Sequence, residues 1–187
     1  ALVSETWKVL AENVLTKRWK GNMFEACKNG ETKVVQLLLE RYNAEESGLN
    51  TKDKYGWTAF MIACFNGHKD VVQLLLDHSD KIELNARGNC GCTAFMYACL
   101  NGQKDVVQLL LENSNIDLKT RENRGDTAFM TACYFGHKDV VQLLLGHFER
   151  IDLNARNNRG VTAFMMACIN GKTDVVKILL DHSDSKR

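Results

Sequence analysis

The 187-residue chain contains no proline, so no fixed-φ residue interrupts a helix, and a helix-dominated fold is admitted without being required. It has no apolar run near the ~20 residues needed to cross a bilayer. The longest, such as Leu74, Leu75 and Leu76, are a few residues long. A secretion signal needs an unbroken apolar core, and Glu5, Lys8 and Glu12 interrupt the opening stretch ALVSETWKVLAENVL. These absences lead to the expectation of an intracellular, cytoplasmic protein. An excess of charge is missing too: 24 Lys and Arg stand against 23 Asp and Glu, for a formal net charge of +1. No global electrostatic case exists for nucleic acid or an anionic membrane surface, although charge can still be segregated locally. What is present, 45% hydrophobic and 25% charged residues, is ordinary for a chain with one sizeable core.

Self-similarity dominates the sequence. Near-copies begin GWTAFMIACFNGHKDVVQLLL at Gly56, GCTAFMYACLNGQKDVVQLLL at Gly91, GDTAFMTACYFGHKDVVQLLL at Gly125 and GVTAFMMACINGKTDVVKILL at Gly160. The threonines at 58, 93, 127 and 162 lie 35, 34 and 35 residues apart, and a degenerate copy, NMFEACKNGETKVVQLLLE, precedes them from Asn22.

Within one copy, Thr58 is placed to cap a helix, and Phe60, Ala63 and Cys64 then fall at i, i+3 and i+4, a single buried face. Asn66-Gly67 breaks the chain. In the second helix Asp70, Gln73 and Asp77 form the only polar stripe among Val71, Val72, Leu74, Leu75 and Leu76, so this helix is expected to be packed on nearly all sides but one. Stretches such as NARGNCG and NARNNRG between copies suit a protruding turn or hairpin. One such unit has too little burial to offset its own ordering entropy. Neighbours must stack on it, which is the logic of a solenoid.

The period, the Gly-x-Thr-x-x-x-x-Ala start and the Gly-His-x-x-Val-Val-x-Leu-Leu-Leu second helix resemble ankyrin repeats over about residues 22 to 187. The resemblance implies an all-α solenoid of stacked helix-turn-helix units with short hairpin turns. The organisation expected is an N-terminal amphipathic capping helix in 1–21, then repeats at about 22–54, 55–89, 90–123, 124–158 and 159–187. The family's Thr-Pro-Leu-His tetrapeptide is here Thr-Ala-Phe-Met. The hydrogen bond between Thr and His that braces the turn in relatives therefore cannot form at Met61, Met96, Met130 or Met165, and sulfur packing is expected instead.

At the N-terminus, Trp7, Leu10, Val14, Leu15 and Trp19 share one helical face after Ser4; this is read as a cap over the first repeat, with a partner-binding or dimerising helix as the alternative. The last repeat keeps Met165, Ile178, Leu179 and Leu180 and ends in HSDSKR without a polar capping face, which leaves room for further repeats or another domain beyond it.

Candidate chemistry is sparse. Cys27, Cys64, Cys99, Cys133 and Cys168 occupy one slot of successive first helices. Helices pack about 8 to 10 Å apart, too far for a disulfide, and one thiol per layer cannot build a tetrahedral metal site, so a buried structural role is expected. Cys90 and Cys92 lie in an inter-repeat turn and are read as surface thiols, with redox sensitivity the alternative. His68 and His137 follow turn glycines, and His78, His147 and His182 lie near the ends of second helices; all five are assigned to the fold. No catalytic set converges and no phosphate-binding glycine loop occurs. Neither enzyme activity, cofactor nor metal is expected.

In ankyrin proteins partners usually sit on a concave face of hairpin tips and first helices. Carried over, this implies Tyr55, Trp57, Cys90, Cys92, Arg124, Asp126, Arg159 and Val161 at the tips. On the first helices it implies Phe65 and Asn66, Leu100 and Asn101, Tyr134 and Phe135, then Ile169 and Asn170. The pairs change identity from copy to copy while the framework repeats, and the aromatics among them are typical hot-spot material. Lys52, Lys54, Arg87, Lys119, Arg121, Arg124, Arg156 and Arg159 make the finger edge basic. The expectation is a non-catalytic, monomeric protein-interaction scaffold whose partner is a protein or peptide, acidic if the basic edge takes part. No small-molecule substrate and no membrane are expected, and nucleic acid ranks low. The alternative is a targeting or structural segment of a larger multidomain protein.

Overall fold

In each full near-copy the threonine opens a helix. Thr58 is extended, and its hydroxyl oxygen accepts the Met61 N–H at 3.3 Å, satisfying one amide that the helix start leaves unpaired. Met61 reciprocates, its sulfur accepting the Thr58 N–H at 3.4 Å. The thioether thus takes the place that Glu or Gln holds in a capping box, and the sulfur does more here than pack. Thr93, Thr127 and Thr162 accept from Met96, Met130 and Met165 in the same way. Thr127→Ala is therefore expected to cost about 1 to 2 kcal/mol in urea unfolding, and an unchanged midpoint would deny the cap an energetic role.

The computed structural model describes residues 22–41 and 48–184. Among them the chain forms ten α-helices in five pairs and no strand: α1 (Met23–Lys28) with α2 (Thr32–Arg41), α3 (Ala59–Asn66) with α4 (Lys69–Asp77), α5 (Ala94–Leu100) with α6 (Lys104–Glu112), α7 (Ala128–Phe135) with α8 (Lys138–Leu145), and α9 (Ala163–Ile169) with α10 (Thr173–Asp184). The helix expected over residues 4 to 19 lies outside the described residues. First helices stack on first helices, second on second, and each pair packs internally. Short 3₁₀ turns at Ser79–Lys81 and Phe148–Arg150 carry the chain out of α4 and α8.

Burial is distributed in the reverse of the expected sense. Helix α3 is buried at every position from Ala59 to Cys64, whereas α4 buries one face, Val71, Val72, Leu75 and Leu76, and leaves Leu74 half-exposed. Each of the three middle first helices, α3, α5 and α7, meets a first helix on either side and its own partner behind, which encloses most of its length; the second helix lies along the outer surface. Phe60, Phe95 and Phe129 are among the largest fully enclosed side chains.

The cysteine slot needs one correction. Cys27, Cys64, Cys99 and Cys133 are buried, but Cys168 is exposed. Among the described residues no layer follows α9, so the slot that the next repeat covers elsewhere is open. Burial pushes the four enclosed thiols up, Cys133 to about 12, which makes them inert packing groups.

Successive repeats are also tied by hydrogen bonds. Nε2 of His68 donates to the Lys28 carbonyl at 2.9 Å and that of His137 to the Leu100 carbonyl at 2.8 Å; Gln103, in the same position, donates to Phe65 at 3.0 Å. At the fingers, Asn89, Asn123 and Asn158 donate backbone N–H groups to Tyr55, Cys90 and Arg124 of the preceding finger at 2.9 to 3.1 Å. These bonds hold the tips in register.

Candidate binding face

Trp57 precedes the cap of α3 and Phe65 lies near its end, yet their rings meet edge to face at 5.0 Å. A finger tip and the far end of its first helix therefore share one face. In the repeat register the corresponding positions are Cys92 and Leu100, Asp126 and Tyr134, and Val161 and Ile169.

Trp57 and Phe65 were expected to offer open aromatic area. Both are instead half-buried and packed against the core, because Tyr97 of the next repeat lies 4.2 Å from Trp57 and 6.3 Å from Phe65. Tyr97, only 5% exposed, was not among the residues selected from the sequence. The signal for it was present: its slot reads Ile62, Tyr97, Thr131 and Met166 in successive copies, as variable as the neighbouring slots that were selected.

The open aromatic area lies elsewhere. Tyr55 is 60% exposed, with the Lys54 ammonium 4.9 Å from its ring centre, a cation–π arrangement. Tyr134 and Phe135 are 43% and 45% exposed and pack edge to face at 4.9 Å, with Phe135 stacked over His137. Ile169 is exposed, while Leu100 and Val161 are partly covered.

Several polar candidates are engaged in the framework. Asn66 donates to the Lys28 carbonyl at 2.9 Å and Asn101 to the Phe65 carbonyl at 2.9 Å, each reaching the preceding repeat; Asn170 caps its own helix through Met166 at 2.8 Å. Asp126 accepts from Asn157 of the next finger at 2.7 Å.

The finger cations divide in the same way. Lys52 donates to the Arg87 carbonyl, Arg87 to Arg121 and Arg121 to Arg156, at 3.1, 2.8 and 2.6 Å, so these side chains form a ladder joining four fingers. Arg124 and Arg159 are exposed at the tips, the former 3.7 Å from Glu122. Lys54 and Lys119 are exposed as well, and the cations of the ladder keep their charge at the exposed finger edge.

Cys90 is exposed and Cys92 half-buried. The Cys90 sulfur lies 3.2 Å from the Tyr97 hydroxyl, which places both thiols beside the Trp57 cluster. Among the described residues, no three His, Cys, Asp or Glu gather to hold a metal ion, and no helix is long and apolar enough to cross a membrane. A cleft of about 610 Å³ between Phe129, Phe148, Phe164 and Leu180 lies between the last two described repeats.

Comparison with curated proteins gives no match. A family model for ankyrin repeats, three copies, matches residues 23–122 and 113–187. Repeats of this kind generally serve in protein–protein interaction and are typically non-catalytic. With this match over most of its length and five stacked helix pairs joined finger to finger, the chain belongs to the ankyrin-repeat family.

Proposed function

We propose that the chain is a non-catalytic interaction scaffold that binds a protein or peptide through the face of finger tips and first-helix ends. The observation that carries this reading is the Tyr134 and Phe135 pair, two large rings held against each other and both more than two-fifths exposed. Neighbouring rings at an exposed position offer apolar area at little cost in side-chain entropy, as at interface hot spots. Arg124 and Arg159 lie among the exposed finger residues, so an acidic stretch beside an apolar anchor is the partner this face fits best.

The test uses the whole chain as immobilised bait beside a Tyr134→Ala, Phe135→Ala double variant. The variant is expected to unfold as cooperatively as the parent and to bind a retained partner more weakly by about 2 kcal/mol or more, roughly thirtyfold. Neutralising Arg124 and Arg159 is expected to reduce the salt dependence of the same complex. Equal retention by parent and double variant would remove this face from the proposal.

A further inference from the structure

The hydrogen bonds that join the ends of successive first helices fail at one junction. At three others the side chain after a turn glycine packs on the turn glycine of the preceding repeat and donates to the carbonyl two residues before it. These are His68 to Lys28, Gln103 to Phe65 and His137 to Leu100, at 2.8 to 3.0 Å. Asparagines add a second donor to two of the same carbonyls, Asn66 to Lys28 and Asn101 to Phe65, both at 2.9 Å.

Between α7 and α9 the frame is the same and both bonds are missing. Lys172 follows the turn glycine, and its stem lies across Gly136, where a Cβ would meet Cδ at 2.7 Å. The carbonyl in register is that of Tyr134. Asn170, in the slot of Asn66 and Asn101, turns back to the Met166 carbonyl of its own helix at 2.8 Å. Among the described residues neither the Tyr134 carbonyl nor the Lys172 ammonium has a hydrogen bond or ion pair.

Lysine brings a compact, strongly hydrated ammonium in place of a planar N–H, and a positive charge beside the C-terminal end of α7, where the helix dipole favours it. The junction therefore presents an open acceptor and an open cation. Both adjoin the exposed Tyr134 and Phe135 rings. The tip cation Arg124, by contrast, already lies 3.7 Å from Glu122.

We propose that this open rung is the polar subsite of the binding face and takes an aspartate or glutamate of a bound peptide. The carboxylate meets the Lys172 ammonium, the peptide N–H donates to the Tyr134 carbonyl, and an adjoining apolar residue lies on Tyr134 and Phe135. A carboxylate on an ammonium makes a charge-assisted bond, whereas a neutral amide in its place leaves the cation without a counter-charge. The proposal rests on the binding role above and adds the group that reads the acid.

A library of random short peptides displayed on phage is panned against the whole chain, and the selected peptides are resynthesised and titrated by calorimetry. They are expected to carry Asp or Glu beside an aromatic or aliphatic residue. Changing that acid to its amide is expected to weaken binding to the parent about fivefold. In Lys172→Gln, which gives this junction the donor that Gln103 supplies at another, the same change is expected to cost less than about twofold. Arg124→Gln is expected to leave the fivefold factor in place. Selected peptides without an acid, a library that yields no binder, or a factor unchanged in Lys172→Gln overturns the proposal. The Tyr134→Ala, Phe135→Ala variant separates the two readings. Undiminished peptide binding there removes the apolar anchor, while an acid-to-amide factor that Lys172→Gln abolishes supports the subsite whichever way the anchor falls.

Discussion

Phe129→Ala is expected to lower the unfolding free energy by about 3 to 5 kcal/mol, and Phe164→Ala by only about 1. The two phenylalanines occupy the same slot of the repeat, two residues after the capping threonine, and nothing in the local sequence separates TAFMTAC from TAFMMAC in this respect. Their surroundings do. Phe129 is 2% exposed because α9 stacks on α7, whereas Phe164 is 41% exposed in the last described layer. Cutting Phe129 loses the transfer energy of the ring and leaves a cavity between layers that cannot fully collapse; cutting Phe164 leaves a shallow hollow that water fills. Urea unfolding followed by circular dichroism checks both. Because a linear array need not unfold in one step, the comparison should be made on the transition in which the last three repeats melt. Equal losses would contradict the view that each layer is stabilised mainly by the one stacked on it.

Gly125→Ala and Gly160→Ala form a second matched pair, and the first is expected to be worse by about 1 to 3 kcal/mol. Both glycines sit in the finger hairpin with positive φ, +83° and +74°, so alanine pays about 1 to 2 kcal/mol for the left-handed conformation at either. A Cβ on Gly125 would also lie 2.5 Å from the Asn158 side-chain oxygen and 2.9 Å from its backbone nitrogen, while at Gly160 nothing stands within 4 Å. Asn158 donates its backbone N–H to Arg124 and its side-chain amide to Asn123, so pushing it away breaks the bonds that align one finger with the next. The two variants are to be compared by urea midpoint and by amide exchange at Asn158, where faster exchange is expected in Gly125→Ala alone. The same loss in both would mean that the finger ladder contributes little beyond the turn.

The proposed face was legible in part. Tyr134 and Phe135 stood out as a slot that changes from copy to copy, and both are exposed. Trp57 and Phe65 were chosen on the same ground, but Tyr97 covers them. Variation marks a position that the repeated framework does not need, whether it meets solvent or a variable residue of the neighbouring layer. For Lys52, Arg87 and Arg121 the sequence shows the charge of the finger edge but not the carbonyl that each side chain reaches in the next finger.

The sequence by itself determined the local features that recur in each copy. The threonine caps, the glycine turns, the apolar pattern of the second helices and the stacking that the period demands all follow from contacts within a few residues or from their recurrence about 34 residues on. Only the tertiary structure decided what depends on the layer above. It made the first helix the enclosed one, closed Trp57 beneath Tyr97, opened Cys168 and Phe164 to solvent, and turned the Cys90 sulfur toward a phenol. Near-identical segments acquire different surroundings because each is covered by its neighbour and not by itself. The residues that set that cover are 31 to 40 positions away, beyond the reach of any local pattern.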